Sequence, residues 1–298
     1  MSRLRHSAPA SLAAMMMLIL YAGHPARSEQ PAAPAAINGN SACPRSKFRV
    51  VVDVGHTLEV PGAMSARGVP EYAFNLQLAG DVKQALVGAG FEQTVLLITT
   101  KAPWLGLVER AMRANSMPAD LFVSIHHDSV PDRLLETWKY LGQANHFSDR
   151  FSGYALFISN ENGDRAGSLQ FGKYLGKELQ ARGLHYTPHY TLPLMGNRRR
   201  ELVDADAGVY RYDQLIVLKD TRMPALLMEA GSIVNRQEEL ELATNERRSL
   251  TSTAVAAAVE DFCEGRSKPQ EGHLAKRTSP SYNIQIPPHR VNLVPIGR

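Results

Sequence analysis

This chain of 298 residues has few cysteines, a small formal net charge and few long apolar runs. It has two cysteines, Cys43 and Cys263, and their spacing matches no cysteine-based zinc motif. The first long apolar stretch, from Ala8 to Ala22, is too short for a membrane-spanning helix. No segment of the sequence repeats. These absences argue against a cysteine-bound metal, a transmembrane helix and a repeat architecture.

The apolar stretch near the start of the chain has the surroundings of a secretory signal. Arg3 and Arg5 precede it, and the small residues Ala26 and Ser28 follow it. This arrangement predicts a signal peptide over residues 1–28 and no membrane span after its cleavage. We therefore expect an exported protein that resides in the periplasm, with release outside the cell as the alternative.

Net charge gives no reason to expect a nucleic-acid partner. Cleavage after residue 28 would remove three arginines and no acid, which lowers the formal net charge from +4 to +1. The remaining positive charge is concentrated in residues 264–298, which are rich in proline and serine and predict a disordered basic tail. Two interpretations of this tail are open: a solvated segment without a function, or one that binds an anionic wall polymer or a partner.

The two cysteines bracket the part of the chain with strand and helix patterns. Cys43 precedes the first predicted strand, and Cys263 ends the last predicted helix. In an exported protein such a pair favours a disulfide over a metal site, so we predict that the two are bonded. A bond that closes so long a loop can stabilise the fold by up to about 5 kcal/mol on the chain-entropy model.

Hydrophobic patterning predicts one α/β domain over residues 47–263, preceded by a flexible linker over residues 29–46. Apolar runs predict strands over 48–54, 94–98, 121–126, 154–158, 215–218 and 225–229, and helices are predicted over 70–87, 105–115, 168–181 and 246–262. We expect a twisted, mostly parallel sheet with helices on both faces.

Three of the predicted strands lead to a residue that can bind a metal or transfer a proton. His56 follows the first strand, His126 ends the third and Glu229 ends the last. The carboxyl ends of parallel strands meet at one edge of an open sheet, so these side chains should converge there. Glu71, in the first turn of the helix after His56, can turn toward the same edge. His127 should point to the opposite face of its strand, in a structural role.

These residue types suit metal-assisted hydrolysis. Two histidines and one glutamate, His56, His126 and Glu71, form a zinc-ligand set that leaves a coordination position open. Glu229 would then accept a proton from water, because a buried strand rarely ends in an unpaired acid without a role. Taken singly, a histidine at a strand end is usually structural, and a glutamate in a first helical turn usually complements the helix dipole. Because the residues occur together, a zinc site explains them as well as separate structural roles do.

Five sequence features carry a resemblance to a known family. They are Val52–His56, Glu71 with Asn75, Arg110–Asn115, Ala119–His126, and Met223–Glu229 with Gly231 and Asn235. In type, order and spacing they resemble the zinc-dependent N-acetylmuramoyl-L-alanine amidases of the Amidase_3 type. The similarity extends from about Phe48 to Cys263.

The resemblance implies hydrolysis of the amide between N-acetylmuramic acid and L-alanine in peptidoglycan, with one zinc ion as cofactor. It matches His56, Glu71 and His126 to the zinc ligands and Glu229 to the catalytic glutamate. Two alternatives stay open. A zinc peptidase that cuts within the stem peptide would use the same chemistry, and a non-catalytic wall-binding or regulatory protein could share the fold, although all four residues are present. The need for a protein activator and the oligomeric state are not predicted.

Two segments are long relative to a minimal domain of this family. Residues 131–152 contain Leu134, Leu135, Trp138 and Leu141, which predict an amphipathic helix, and residues 183–207 form the second segment. The first interpretation treats both as surface elaborations. The second treats one of them as a lid, with Glu136 or Glu201 able to approach the zinc, or as a wall that binds the peptide.

The second inserted segment contains the run Arg198, Arg199 and Arg200. Such a run usually forms a solvated loop. Near the crevice it would instead bind carboxylates of the stem peptide, such as those of D-glutamate or diaminopimelate.

Overall fold

One mixed sheet of seven strands organises the fold in the computed structural model, which describes residues 43–100 and 103–267. The predicted signal peptide, residues 29–42 of the predicted linker and residues 268–298 of the predicted tail lie outside the described residues. The α/β fold with a mostly parallel sheet is confirmed.

The strands of the described residues form the sheet and a separate hairpin. They are β1 (Val50–Val54), β2 (Val95–Leu97), β3 (Leu121–Asp128), β4 (Glu136–Tyr140), β5 (Gln143–Phe147), β6 (Ala155–Ile158), β7 (Glu201–Asp204), β8 (Val209–Arg211) and β9 (Ala225–Ser232). The sheet has the order β2-β1-β3-β9-β6-β8-β7. Strands β2, β1, β3 and β9 are parallel, β6 is antiparallel to β9 and parallel to β8, and β7 is antiparallel to β8.

Helices cover both faces of the sheet, as expected. The helices are α1 (Glu71–Gly88), α2 (Pro103–Asn115), α3 (Arg165–Ala181), α4 (Ile216–Lys219), α5 (Glu238–Leu242) and α6 (Asn245–Ser267). Helices α1 and α3 both contact α6, and the apolar side chains of the three helices share a core with Val50, Val52 and Val54 of β1. The alternate residue Val51 faces the other core, where α2 and α4 pack. Within the described ranges, no helix is long and apolar enough to cross a membrane.

The predicted strand over 215–218 is wrong, because this apolar run begins helix α4. Four consecutive apolar residues carry no periodicity that distinguishes a strand from a buried helical turn. The strand in this part of the chain is instead β8, and the sheet continues to the edge strand β7, which the sequence patterns did not predict.

The predicted helix in residues 131–152 is also wrong, because this segment forms the hairpin of β4 and β5. Leu141 and Gly142 connect the strands with positive φ angles of 48° and 79°, as a two-residue type I′ turn requires. Trp138 and Tyr140 alternate with polar residues, which is the period of a strand. The spacing of the leucines concealed that period.

A disulfide joins Cys43 to Cys263, with Cα atoms 5.3 Å apart, as the sequence predicted. Both cysteines are buried in the larger core. The packed part of the chain therefore includes Cys43, and α6 continues to Ser267. It extends a few residues beyond both ends of the predicted domain.

Removing the disulfide should destabilise the domain. It links residues 220 positions apart, so its loss increases the conformational entropy of a very large loop in the unfolded chain. We expect the variant Cys43→Ser/Cys263→Ser to lose about 2–5 kcal/mol of unfolding free energy. Guanidinium chloride denaturation measures this loss, with reduced wild-type protein as the control that should match it. An unchanged denaturation midpoint would contradict the prediction.

Candidate metal centre and the cavities beside it

Three side chains that can bind a metal meet at the carboxyl edge of the sheet. His56 lies just after β1, Glu71 is the first residue of α1, and His126 belongs to β3. Each offers one ligand atom, and these atoms all lie within 4.8 Å of one another. We call these three residues the metal cluster. The structure therefore brings together the three residues that the sequence singled out as ligands.

Glu71 is the centre of the metal cluster. Its Oε2 lies 3.0 Å from His56 Nε2, and its Oε1 lies 3.0 Å from His126 Nδ1. The backbone N–H of Ala63 donates to Oε2 at 3.1 Å, and the Asn75 amide donates to Oε1 at 3.2 Å. Burial alone would raise the pKa of Glu71, but hydrogen bonds and Coulombic attraction from both histidines hold that pKa well below its usual value. The carboxylate is therefore ionised at neutral pH.

Two glycines allow the backbone to pass close to the ligands. A Cβ at Gly55 would collide with the His126 imidazole. Gly62 has a φ of +81°, and a Cβ there would lie 2.5 Å from Glu71 Oε2. A larger side chain at either position would displace a member of the metal cluster.

A buried ion pair fixes the backbone of His56. This residue has a φ of 65°, which is uncommon for a residue with a side chain. The Arg110 guanidinium donates to the carbonyls of His56 and Val54 and pairs with Asp53 Oδ1 at 2.5 Å. Ser124 Oγ donates to the other Asp53 oxygen at 2.7 Å. Arg110 and Asp53 belong to the motifs that the sequence offered, but their role in holding His56 was not predicted.

His127 lies outside the metal cluster and supports it. Its Nδ1 lies 2.8 Å from the Asn75 side-chain oxygen, and Asn75 in turn donates to Glu71. Burial lowers the pKa of His127 to about 3, against the attraction of Glu71, so the ring is neutral at physiological pH. The structure thus gives His127 the structural surroundings that its position in the strand predicted.

Glu229 lies next to His126, its partner across the β3–β9 pair. The side chain is half-buried, and Oε2 has no hydrogen-bond partner among the described residues. Burial raises the pKa of Glu229 well above its usual value, and repulsion from Asp128 and Glu71 adds to this effect. The positive charge of Arg198 lowers the same pKa. A carboxyl group with a raised pKa is suited to exchanging protons near neutral pH.

A polar network that the sequence did not reveal lies beside Glu229. The buried Asp128 accepts a hydrogen bond from Tyr190 Oη at 2.7 Å and one from Arg198 Nη2 at 3.2 Å. His189 Nε2 lies 3.3 Å from the other Asp128 oxygen. Burial and the Asp128 charge raise the pKa of Tyr190 well above its usual value, so the phenol keeps its proton and donates. Asp128 thereby positions Arg198 near Glu229.

Two cavities flank the metal cluster and share the imidazoles of His56 and His126. The aliphatic cavity, of about 240 Å³, is lined mainly by Val60, Leu107, Leu215, Val217 and Leu227, with the paired Asp53 and Arg110. The Glu229 cavity, of about 220 Å³, is lined by Phe157, Tyr190, Arg198, Arg200, Tyr212, Leu215, Leu227 and Glu229. The two sides of the cluster therefore differ in charge.

The structure separates the three arginines of the 198–200 run. Arg198 and Arg200 are among the residues that line the Glu229 cavity. Arg199 is exposed, and its Nε donates to the Thr191 carbonyl at 3.0 Å. Two of the three predicted substrate contacts therefore lie beside Glu229.

The acidic residues of the inserted segments are placed differently. Glu136 is exposed on β4, and Glu201 pairs with Arg211 across the β7–β8 edge at 2.6 Å. Neither is among the described residues that line the two cavities. The hairpin is attached to the loop before α1 by a 2.8 Å hydrogen bond from Trp138 Nε1 to the Ala66 carbonyl. This arrangement supports the interpretation of residues 131–152 as a surface elaboration, whereas residues 183–207 supply Tyr190, Arg198 and Arg200 to the wall of the Glu229 cavity.

Sequence comparisons give a consistent set of relatives. The Amidase_3 family model, described as N-acetylmuramoyl-L-alanine amidase, matches residues 50–261. The chain is 28% identical over 190 residues to an endolysin of Bacillus phage SPP1, covering 63% of the chain and 56% of the endolysin. It is 22% identical over 246 residues to the amidase AmiC of Neisseria meningitidis, covering 72% of the chain and 52% of AmiC. The chain thus spans about half the length of these two relatives.

Solved structures share the fold. The crystal structure of an N-acetylmuramoyl-L-alanine amidase from Clostridium difficile 630 has a TM-score of 0.54 and 19% identity, covering 74% of this chain and 98% of the other. Ami1 of Mycobacterium smegmatis gives a TM-score of 0.55 at 19% identity, with the same coverage of 74% and 98%. At these identities the likeness shows the α/β fold alone.

Replacing Gly62 by alanine should weaken metal binding. The new Cβ would lie 2.5 Å from Glu71 Oε2, whereas Gly183 has the same φ of +81° with open space around it. Gly183→Ala is therefore a matched control for backbone strain. We expect Gly62→Ala to reduce the affinity for a divalent metal ion by about 10- to 100-fold, as displaced supporting groups do, and Gly183→Ala to leave it unchanged. Competition with a chromogenic chelator measures both; equal affinities would contradict the assignment of Glu71.

Proposed function

The chain belongs to the Amidase_3 family of N-acetylmuramoyl-L-alanine amidases, and we propose that it hydrolyses the amide between N-acetylmuramic acid and L-alanine in peptidoglycan. The observation that carries this proposal is the placement of Glu229 beside His126, and so beside the metal cluster. Metal-assisted hydrolysis of an amide needs an electrophilic metal and a group that moves protons. The cluster and its neighbouring carboxyl group would supply them.

We propose that the metal is one zinc ion, held by His56, Glu71 and His126. Two imidazoles and one carboxylate are a donor set of catalytic zinc sites, which leave a position for water or substrate. The fit is supported by the spacing of the ligand atoms, all within 4.8 Å of one another, and by the ionised state of Glu71. When bound, zinc lowers the pKa of its water and polarises a substrate carbonyl.

We propose that Glu229 first accepts a proton from water and then donates it to the departing alanine nitrogen. Its carboxylate must be ionised for the first step, and its raised pKa makes the second step favourable near neutral pH. The unpartnered Oε2 is available for this exchange. A stem-peptide zinc peptidase would need the same groups, and a non-catalytic wall protein would have no use for them.

We propose that the protein works in the periplasm on the cell wall. The predicted signal peptide and the disulfide between Cys43 and Cys263 support export to an oxidising compartment. We also propose that a protein partner increases this activity without being required for it. The CwlD amidase of Clostridioides difficile, solved in complex with the GerS lipoprotein, shares this fold at a TM-score of 0.51 and 17% identity.

Mass spectrometry of digested peptidoglycan tests the function. We expect the zinc-loaded mature protein to release stem peptides that begin at L-alanine. Cuts elsewhere in the stem would make the protein a peptidase, and a lack of any product, with zinc bound, would contradict the proposal.

Replacing the proposed proton-transfer group should abolish turnover and spare the metal. We expect Glu229→Gln to lower kcat by about 10²- to 10⁴-fold, the usual contribution of such a group, with an unchanged zinc content. Glu136→Gln, an exposed glutamate outside both cavities, is the control and should keep full activity. Substantial activity in Glu229→Gln would rule out this role.

The positive charge of residue 198 should influence the position of the acidic limb of the pH profile of kcat/KM. Arg198 lowers the pKa of Glu229, so Arg198→Gln should raise that pKa and leave less ionised base at any given pH. The rising, acidic limb of kcat/KM against pH should therefore move to higher pH. Arg198→Lys, which keeps the charge, and Arg199→Gln, outside the cavity, should leave it in place. A limb that stays or moves to lower pH in Arg198→Gln would contradict the coupling.

A further inference from the structure

The two guanidinium groups of the Glu229 cavity have different surroundings. Arg198 pairs with the buried Asp128 at 3.2 Å, which compensates its charge. Arg200 instead gives hydrogen bonds from Nη1 to the carbonyls of Asn197 and Arg199, both at 2.8 Å. Among the described residues, these contacts give Arg200 no carboxylate partner. Its positive charge is therefore uncompensated at the cavity.

The Arg200 side chain is held in place before any ligand arrives. Its guanidinium carbon lies 3.8 Å from the centroid of the Tyr212 ring, and Tyr212 is anchored by a 2.8 Å backbone hydrogen bond to Ile158. The Arg200 backbone N–H donates to the Tyr190 carbonyl at 2.8 Å. An arginine that is already ordered loses little conformational entropy when it binds a carboxylate.

Some N–H groups of Arg200 form no hydrogen bond within the described part of the chain. An arginine carries five N–H groups, and the two carbonyl bonds described above use only those on Nη1. Its Nε is buried and has no acceptor in the described part of the chain. Nε is enclosed by protein, whereas Nη2 forms no hydrogen bond among the described residues and is left to donate to an anionic oxygen of a ligand.

The position of Glu229 indicates which part of the substrate enters this cavity. Under the proposed mechanism Glu229 donates its proton to the alanine nitrogen, so the departing peptide lies on the Glu229 side of the metal cluster. The cavity of about 220 Å³ is smaller than ligand pockets of about 300–1,000 Å³. It has room for only the first residues of the peptide, and the residue after L-alanine is D-glutamate.

We propose that Arg200 binds the free carboxylate of this D-glutamate and makes the protein selective for stem peptides in which that carboxylate is not amidated. This inference rests on the proposed amidase function and adds to it a substrate preference. Arg199, the neighbouring arginine outside the cavity, provides a control of the same charge and the same segment.

The test compares two substrates on three proteins. The substrates are N-acetylmuramoyl-L-alanyl-γ-D-glutamyl-L-lysine and its D-isoglutaminyl analogue, in both of which the γ-carboxyl is bonded to lysine, and the proteins are zinc-loaded wild type, Arg200→Gln and Arg199→Gln. We expect wild type and Arg199→Gln to prefer the free acid by about 10- to 100-fold in kcat/KM, mainly through KM, as for a hydrogen bond to a charged group. Arg200→Gln should lose this preference by losing activity on the acid alone.

Calorimetry with the two product tripeptides, L-Ala-γ-D-Glu-L-Lys and L-Ala-D-isoGln-L-Lys, repeats the comparison without turnover. Equal affinities for both tripeptides in wild type, or equal losses in Arg200→Gln and Arg199→Gln, would overturn the inference and leave the amidase function standing. A preference seen only between diaminopimelate- and lysine-containing tripeptides would overturn the D-glutamate assignment. Peptidoglycan digests without peptides that begin at L-alanine would instead overturn the proposed function.

Discussion

The carboxylate of Glu71 between the imidazoles of His56 and His126 is the interaction on which the site depends. A buried carboxylate is costly unless charges and hydrogen bonds compensate it, and Glu71 has both imidazoles at 3.0 Å as well as the N–H groups of Ala63 and Asn75. These partners come from the loop after β1, the start of α1 and the end of β3. Their convergence requires the sheet edge, the turn at Gly62 and the Arg110 ion pair to be in place together.

The pKa values of Glu71 and Glu229, which both lie beside His126, are shifted in opposite directions. Attraction from both imidazoles holds the pKa of Glu71 low in spite of burial, whereas burial and repulsion from Asp128 and Glu71 raise that of Glu229. Environment alone therefore divides the roles, because the residue type is the same. The first carboxyl group suits a cation, and the second suits a proton. Arg198, positioned by Asp128, limits how far the second is shifted.

Sequence reasoning reached the strand ends because buried parallel strands leave continuous apolar runs, and the topology brings their carboxyl ends to one edge. It failed for the β4–β5 hairpin, where the spacing of the leucines concealed the period of a strand, and for α4, whose short apolar run carries no period. The contacts of Asp128 with Tyr190 and Arg198 join residues 62 and 70 positions apart, which no local pattern reveals. Likewise, Arg199 and Arg200 are equivalent in sequence, and only the folded turn after Gly196, with its φ of 55°, separates them.

X-ray absorption at the zinc edge of the zinc-loaded protein tests the central claim most directly, namely that Glu71 and the two imidazoles form a site with a position left for water or substrate. The account predicts two imidazole nitrogens, one carboxylate oxygen and one ligand that does not come from the protein, with the carboxylate oxygen lost in Glu71→Ala. A fourth protein ligand such as His127, a sulfur ligand, or a spectrum unchanged by Glu71→Ala would contradict it.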